Sequence, residues 1–506
     1  MKVRDHEPVP ITRLNGLWDR GDIDNVPLDH MSFCLNVQYD GDYIRTRDGI
    51  TPSQTTTVPL TNVVRIYNYP TTTANTLLVL TYDGTDGKLY HVVNASTTYL
   101  ILTIAGMTDF AFVPYAGRAY ISPFTTFTTG DLNIQKGMQS QFLYVYLGAG
   151  AAARKAAGSV PAGTLTIAAG VGGNTDTGLH LYAVVGESDS GALSQPFAFN
   201  TFSNTGTSVS FGTVPVLVGA QWTKRHIVAS KKIEGLYSGN TSGYEYFFIP
   251  GATINDNITI FLNNQSFFDI DLIENASHLF DNYAEIPAGA ALWIYHDRLC
   301  LATTFTDISL ILVSAPGEPE AISQIDGLII VPPDGNPITN GAELRDVMYV
   351  FKRSKTISYI DNDEEPSSWS DSSVDNSLGT CVHGIGTVLD SGNTSIDYFI
   401  IATFSGIYMF NGGYIMPELS WKISALWGEQ DRDNYKQIQI AVCPPRKTIY
   451  VVIPDGRVLF GNYSNGMDPK NIRWTPQSWY TIVNCVAIQN IDEIIIGCEH
   501  PDSGFI

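Results

Sequence analysis

A chain of 506 residues, 44% hydrophobic and only 16% charged, is long enough for two or three domains with ample buried core. Its formal net charge of −21, from 29 basic and 50 acidic side chains, argues against condensation on nucleic acid, which needs Lys and Arg to neutralise phosphate. The opening MKVRDHEPVPITRL lacks the apolar stretch of a signal peptide, and no run of about 18 apolar residues occurs, so a soluble chain made in a reducing cytoplasm is expected.

The composition is that of an all-β protein. Gly, Thr, Tyr and Phe are abundant, Lys is scarce, and no window of eleven or more residues carries a helical period. Phe33 to Arg47 reads as a hairpin turning at Asp40-Gly41. Val63 to Tyr69, Thr76 to Tyr82 and Leu89 to Val93 follow as strands, the last two joined by the DGTDG turn, and then Tyr99 to Ile104, Phe110 to Pro114 and Arg118 to Ser122. Short strands between turn signals at near-regular intervals are a sandwich or propeller pattern.

From Ala149 to Pro161 the sequence AGAAARKAAGSVP reads as a linker or exposed loop. The block from Gly178 to Asn264 then has its own logic, with strands LHLYAVVGES, TSVSFGTV, KRHIVASKKI, YEYFFIPGA and ITIFLNN, the size of an immunoglobulin-like or fibronectin type III-like sandwich without the antibody Cys pair. Ile286 to Ser314 returns to the strand-and-turn pattern of the N-terminal part, with two strands about a turn at Asp297.

Arg345 to Trp427 holds two apolar hairpins, Val347 to Ile360 and Tyr398 to Phe410, separated by a polar, acidic connector with one Trp. Such a unit is one blade of a propeller or one hairpin of a barrel. Gln437 to Val442, Thr448 to Ile453, Val458 to Tyr463, Trp479 to Ala487 and Glu493 to Cys498 complete the strands, and Asp455-Gly456 supplies a hairpin turn. Six to eight hairpin units at a spacing of about 40 to 50 residues suggest blades. Ile494 to Gly497 is the expected closing strand.

The resulting expectation is an all-β chain: a β-propeller of about six to eight blades, formed by residues 1–148 and 277–506, with a β-sandwich inserted at 149–276.

Chemistry-bearing motifs are sparse. Cys34, Cys300, Cys381, Cys443, Cys485 and Cys498 form no CxxC pair, and most sit in apolar runs where a free Cys acts as a small hydrophobe. His226, His278, His296, His383 and His500 show no HxH or HExxH spacing. Asp83 to Asp86 could bind calcium but reads better as a plain turn. No Walker loop, nucleophile elbow or dinucleotide fingerprint occurs, and no carboxylate pair is fixed by spacing. Neither a catalytic residue, a cofactor nor a metal site is expected.

Four segments carry a family resemblance: LNGLWDRGDIDNVPLDHMSFCLNVQYDGDYIRTRDGI near the start, IPAGAALWIYHDRLCLATTFTDISLILVSAPGEP from Ile286, VMYVFKRSKTISYI with Trp369 and Gly379, and FSGIYMFNGG followed by LSWKI. Together, in this order, they resemble the tail hub or nozzle proteins of short-tailed phages. The resemblance implies a non-enzymatic virion protein, present as a sixfold homo-oligomeric ring that extends or closes the tail channel. Such a ring retains packaged DNA, docks other tail proteins on its portal side or at fibres or a needle, and opens for genome ejection, with DNA passing through as a repelled duplex and without membrane insertion. Assembly would occur in the host cytoplasm. This chain is shorter than the larger nozzle proteins. The acidic excess suits either plain solubility or a wall along which a duplex slides. For lumen or inter-subunit positions the acidic loops Asp269, Asp271, Glu274 and Asp361, Asp363, Glu364, Glu365 are the residues to inspect. The alternative is a carbohydrate-active propeller, either a glycosidase or a host-glycan adhesin.

Overall fold

The computed structural model describes residues 17, 31, 35–40, 43–46, 60–71, 74–94, 96–129, 132–158, 161–219, 221–235, 237–241, 243–389, 397–413, 417–478, 482–489 and 493–498. The all-β expectation holds: helix among the described residues is limited to the single α-turn Ser424–Gly428 and short 3-10 segments.

Among the described residues, outside the inserted block and apart from a two-stranded hairpin near the N-terminus, seven antiparallel sheets follow one another along the chain, each built by strands that are neighbours in sequence. The first comprises Val63–Pro70, Asn75–Tyr82, Asp86–Asn94 and Thr97–Ala105. The second begins with Asp109–Tyr115 and Arg118–Thr129 and is completed outward by Tyr144–Tyr146 and Arg154–Lys155, with Leu132–Gly137 on the far half of its long strand. The third (Gly289–Tyr295, Arg298–Thr304, Leu310–Val313, Leu328–Ile330) and the fourth (Ile338–Leu344, Val347–Lys352, Thr356–Ile360, Ser370–Asp375) are four-stranded meanders. Ile385–Leu389, Asp397–Ala402 and Ile407–Phe410 form the fifth, and Gln439–Cys443, Thr448–Val452, Val458–Asn462 and Arg473–Gln477 the sixth. Val483–Gln489 and Glu493–Cys498 are the described strands of the seventh.

Tight turns fix these registers. The first two strands of the second, third and fourth sheets are joined by two-residue turns whose central residues all have positive φ: Ala116 and Gly117, His296 and Asp297, Arg345 and Asp346. That geometry matches the right-handed twist of the strands it connects.

Each sheet packs its apolar faces on both neighbours. Tyr69, Leu80, Phe110 and Ile121 lie between the first and second sheets, Tyr120, Leu292 and Leu301 between the second and third, and Trp293, Ile311, Val350 and Trp369 between the third and fourth. Phe351 meets Phe410 between the fourth and fifth, Ile400 meets Val451 between the fifth and sixth, and Val452 meets Val486 between the sixth and seventh. Val63, Ile66, Val79, Cys485 and Ala487 then join the seventh sheet to the first. The series of sheets therefore closes on itself. Small residues stand where the first strands crowd together; a Cβ on Gly341 would lie 2.3 Å from the Trp293 ring, and one on Gly386 would lie 2.6 Å from Val442.

Three local expectations change. The Ala149 to Pro161 stretch is no linker in its middle, because Arg154–Lys155 pairs with Tyr144–Tyr146 and Ala156 and Ala157 are buried in the core between the second and third sheets. The acidic connector after Ile360 contains a strand, Ser370–Asp375, which pairs with Thr356–Ile360 despite exposing most of its side chains. Ile494 to Gly497 pairs with Val483–Gln489 in its own sheet. The N-terminal segment instead attaches to the sixth: Leu17 N–H donates to the Trp474 carbonyl at 3.1 Å and Asn36 N–H to the Pro476 carbonyl at 3.1 Å. The expected hairpin is present as Val37–Asp40 and Tyr43–Thr46. Cys34, His500 and residues 479–481 lie outside the described residues.

The inserted block forms two sheets, Thr166–Ala169, Val209–Thr213, Leu262–Gln265 and Phe197–Asn204, Gly178–Ser188, Trp222–Ala229, Phe247–Ile254, with one shared core around Tyr182, Phe211, Ile227 and Phe267. Thr166–Ala169 and Phe197–Asn204 are strands that the sequence pattern does not announce; the first is largely exposed and the second alternates weakly. Arg225, fully buried, donates to the carbonyls of Val214, Pro215, Asp256 and Thr259 and so ties two loops together. Arg154 anchors the block to the third sheet by pairing with both Asp189 and Glu320.

Candidate functional site

The first strands of all seven sheets meet around a central cavity of about 380 Å³, lined among others by Tyr67, Phe112, Leu292, Asn340, His383, Gln439 and Ala487. The volume suits a small molecule at most.

Beside it lies a polar chain assembled from distant parts of the sequence. Arg65 is forked onto Asp109, Nε to Oδ1 at 3.0 Å and Nη2 to Oδ2 at 2.7 Å, with side chains only 3% and 8% exposed. His383 Nε2 stands 2.9 Å from Asp109 Oδ2, and its Nδ1 is in a short hydrogen bond with the Tyr67 hydroxyl. The Asp109 carboxylate needs a donor, so Nε2 carries the proton and Nδ1 accepts from Tyr67. Arg65 Nη1 also reaches Gln439 Oε1 at 3.2 Å, and Gln439 Nε2 donates to the Ile66 carbonyl at 3.1 Å.

The electrostatics agree with this proton arrangement. Burial opposes ionisation of Asp109, but Arg65 and His383 outweigh it and hold the carboxyl well below the usual carboxylate range. Burial first, then the Arg65 charge, lowers the His383 pKa and favours the neutral ring. Burial pushes the Tyr67 hydroxyl far above the ordinary phenol range.

A Tyr, His, Asp series superficially suggests a relay that activates a hydroxyl. Here the carboxylate accepts from Arg65 twice, from His383 and from the Phe110 N–H at 2.9 Å, which occupies its roughly four lone-pair positions. With every proton held between partners, the series works as a clamp. It joins the first, second, fifth and sixth sheets at the centre.

The seven acidic residues of the two candidate loops do not line this cavity. Asp269 bonds His180 Nε2 at 3.1 Å and accepts from Lys232 N–H, and Asp271 caps its own short helix by accepting from Phe268 N–H at 2.8 Å. Asp271 and Glu274 border a separate groove of about 620 Å³ on the inserted block, with Glu187, His226 and Thr253. Asp361 accepts from Asp363 N–H, and Glu364 accepts from Ser368 at 3.0 Å while its carbonyl takes the Trp369 indole N–H. The two groups are thus on different bodies of the fold. Asp83 accepts from the N–H groups of Thr85 and Asp86 and pairs with Lys88 at 2.7 Å, which is the plain turn reading. Cys300, Cys381, Cys485 and Cys498 are free thiols, and these four and Cys443 are all buried.

Sequence reasoning passes over the clamp. The signal in the chain is a charged residue inside an apolar strand, Arg65 in VVRIYNY, and another at the head of one, Asp109 in DFAF.

No family model and no curated protein matches the chain. Among solved structures it is similar to Hsv2 of Kluyveromyces lactis (TM-score 0.27, 10% identity, covering 82% of this chain and 97% of that one). Others are the Pan2 WD40 domain of Neurospora crassa (0.24, 9%, 86% of each chain) and PorZ of Porphyromonas gingivalis (0.25, 13%, 88% of this chain and 68% of that one).

Proposed function

We propose that the chain is a structural β-propeller of seven blades, carrying an inserted immunoglobulin- or fibronectin type III-like sandwich, that assembles as a ring in the tail of a short-tailed phage. It belongs on this reading with the hub or nozzle proteins that its sequence resembles, where copies surround the DNA channel, retain the packaged genome and release it at ejection. The observation that carries the proposal is the closed series of sheets, each sharing a core with both neighbours and clamped at the centre by the saturated Arg65, Asp109, His383 and Tyr67 chain. A block of this kind suits a load-bearing ring.

The cavity at its centre is too small for a duplex, so the DNA channel of this proposal runs between copies and not through one. The net charge of −21 then keeps phosphates off the channel wall. The test is electron microscopy of phage particles in which this chain is tagged. Label in a ring around the tail axis is the expected result; label on peripheral fibres, or none on the particle, overturns the proposal.

A further inference from the structure

Three loops converge at one end of the third and fourth sheets: the His296-Asp297 turn, the Arg345-Asp346 turn, and the residue that follows Thr356–Ile360, Asp361. One ligating atom each from His296, Glu343 and Asp346 lie within 4.8 Å of one another. We propose that these three residues bind a divalent transition metal ion such as zinc, with Asp361 orienting the histidine.

The two sides of the imidazole have different surroundings. Nδ1 faces Asp361 Oδ2 at 3.6 Å, and Nε2 faces Asp346 Oδ1 at 4.0 Å. The Asp361 side chain is only 10% exposed; its Oδ1 accepts from Asp363 N–H, while Oδ2 is left with His296 and with Arg298 at 3.8 Å. At 3.6 Å this contact lies just beyond hydrogen-bond distance, yet it places a largely buried carboxylate behind one ring nitrogen, and a small approach on metal binding would hold the proton on Nδ1 and leave the Nε2 lone pair for the ion. That lone pair is on the side of the exposed Asp346 carboxylate.

The frame is also pre-set. The His296 ring stacks on Tyr295 at 4.2 Å, and the Tyr295 hydroxyl donates to the Asp346 carbonyl at 3.1 Å while accepting from Asp361 N–H at 3.0 Å. Glu343 is held close by accepting from His296 N–H at 3.1 Å. A single tyrosine thus fixes the backbone on both acid-bearing loops. One imidazole and two carboxylates form a donor set for zinc, manganese or cobalt, whereas calcium prefers an all-oxygen shell of six or more ligands. Bound there, the ion would bridge two sheets at their rim and offset the repulsion among Glu343, Asp346 and Asp361.

The experiment uses the full chain stripped with chelator and titrated with zinc against a chromophoric competitor, with cobalt absorption as the spectroscopic readout. The expected result is one saturable equivalent that His296→Gln and Asp346→Asn each weaken by at least tenfold. Asp361→Asn keeps the stoichiometry and weakens binding about 10- to 100-fold. Asp346 is 91% exposed, so Asp346→Asn should fold as the parent does, and zinc should raise the melting temperature of the parent but not of this variant. No saturable uptake, uptake unchanged in His296→Gln and Asp346→Asn, or equal competition by calcium would each overturn the assignment.

Discussion

Asp109 illustrates how one buried carboxylate can hold a fold together. Its charge is balanced by Arg65 and its lone pairs are filled, so the cost of burying either ion is met only while both are present. Asp109→Asn should therefore lower the unfolding free energy by roughly 3–5 kcal/mol in urea titrations, the range for breaking a buried pair. Tyr67→Phe, which removes a single neutral hydrogen bond, should cost about 1 kcal/mol. Two buried histidines add a pH dependence. Burial lowers His91 to about 4, and its ring nitrogens are taken by Tyr146 and Thr76; His383 is lowered as well. In the unfolded chain both titrate near the ordinary value of about 6.5, so below that pH the unfolded state binds the extra protons. Asp109, lowered in the fold, acts in the same direction nearer pH 4. The melting temperature should fall steadily from pH 6.5 to 4, with a shallower slope in His91→Gln; a flat profile would contradict the burial of these rings.

At the level of elements, hairpins announce themselves wherever a turn pair stands between apolar runs. Val347–Lys352 with Thr356–Ile360, and Thr448–Val452 with Val458–Asn462, fall where the sequence implies. Ser370–Asp375 is illegible because SDSSVD has the composition of a loop, and its strand pairing is imposed by the neighbour it completes. The Arg154–Lys155 strand is hidden by the alanines around it, of which Ala156 and Ala157 are buried in the core between two sheets while Ala151 and Ala152 are exposed. The central clamp is hidden for another reason: His383 lies 274 residues beyond Asp109, and only closure of the sheets brings them together with Arg65. Closeness at the centre also explains the glycines there. Gly341→Val would drive side-chain carbon into the Trp293 ring and should destabilise by about 1–3 kcal/mol, measurable by denaturant unfolding, whereas Gly428→Ala, with open space around it, should be nearly neutral.

For the molecule as a whole, the N-terminal segment has a mechanical consequence. Consecutive sheets are joined by the chain itself, except where the seventh meets the first; there Asn484 reaches the Val63 carbonyl at 2.9 Å and Gln489 the Asn75 carbonyl at 2.9 Å. Before entering the first sheet, however, the chain has already bonded to Trp474 and Pro476 on the sixth. It thus spans the join that sequence continuity leaves open, in the manner of a clasp on a split washer. Hoop tension that would prise the circle apart at that join has to peel the clasp from the sixth sheet first, and the segment carrying Leu17 and Asn36 becomes the last safeguard of its circumference.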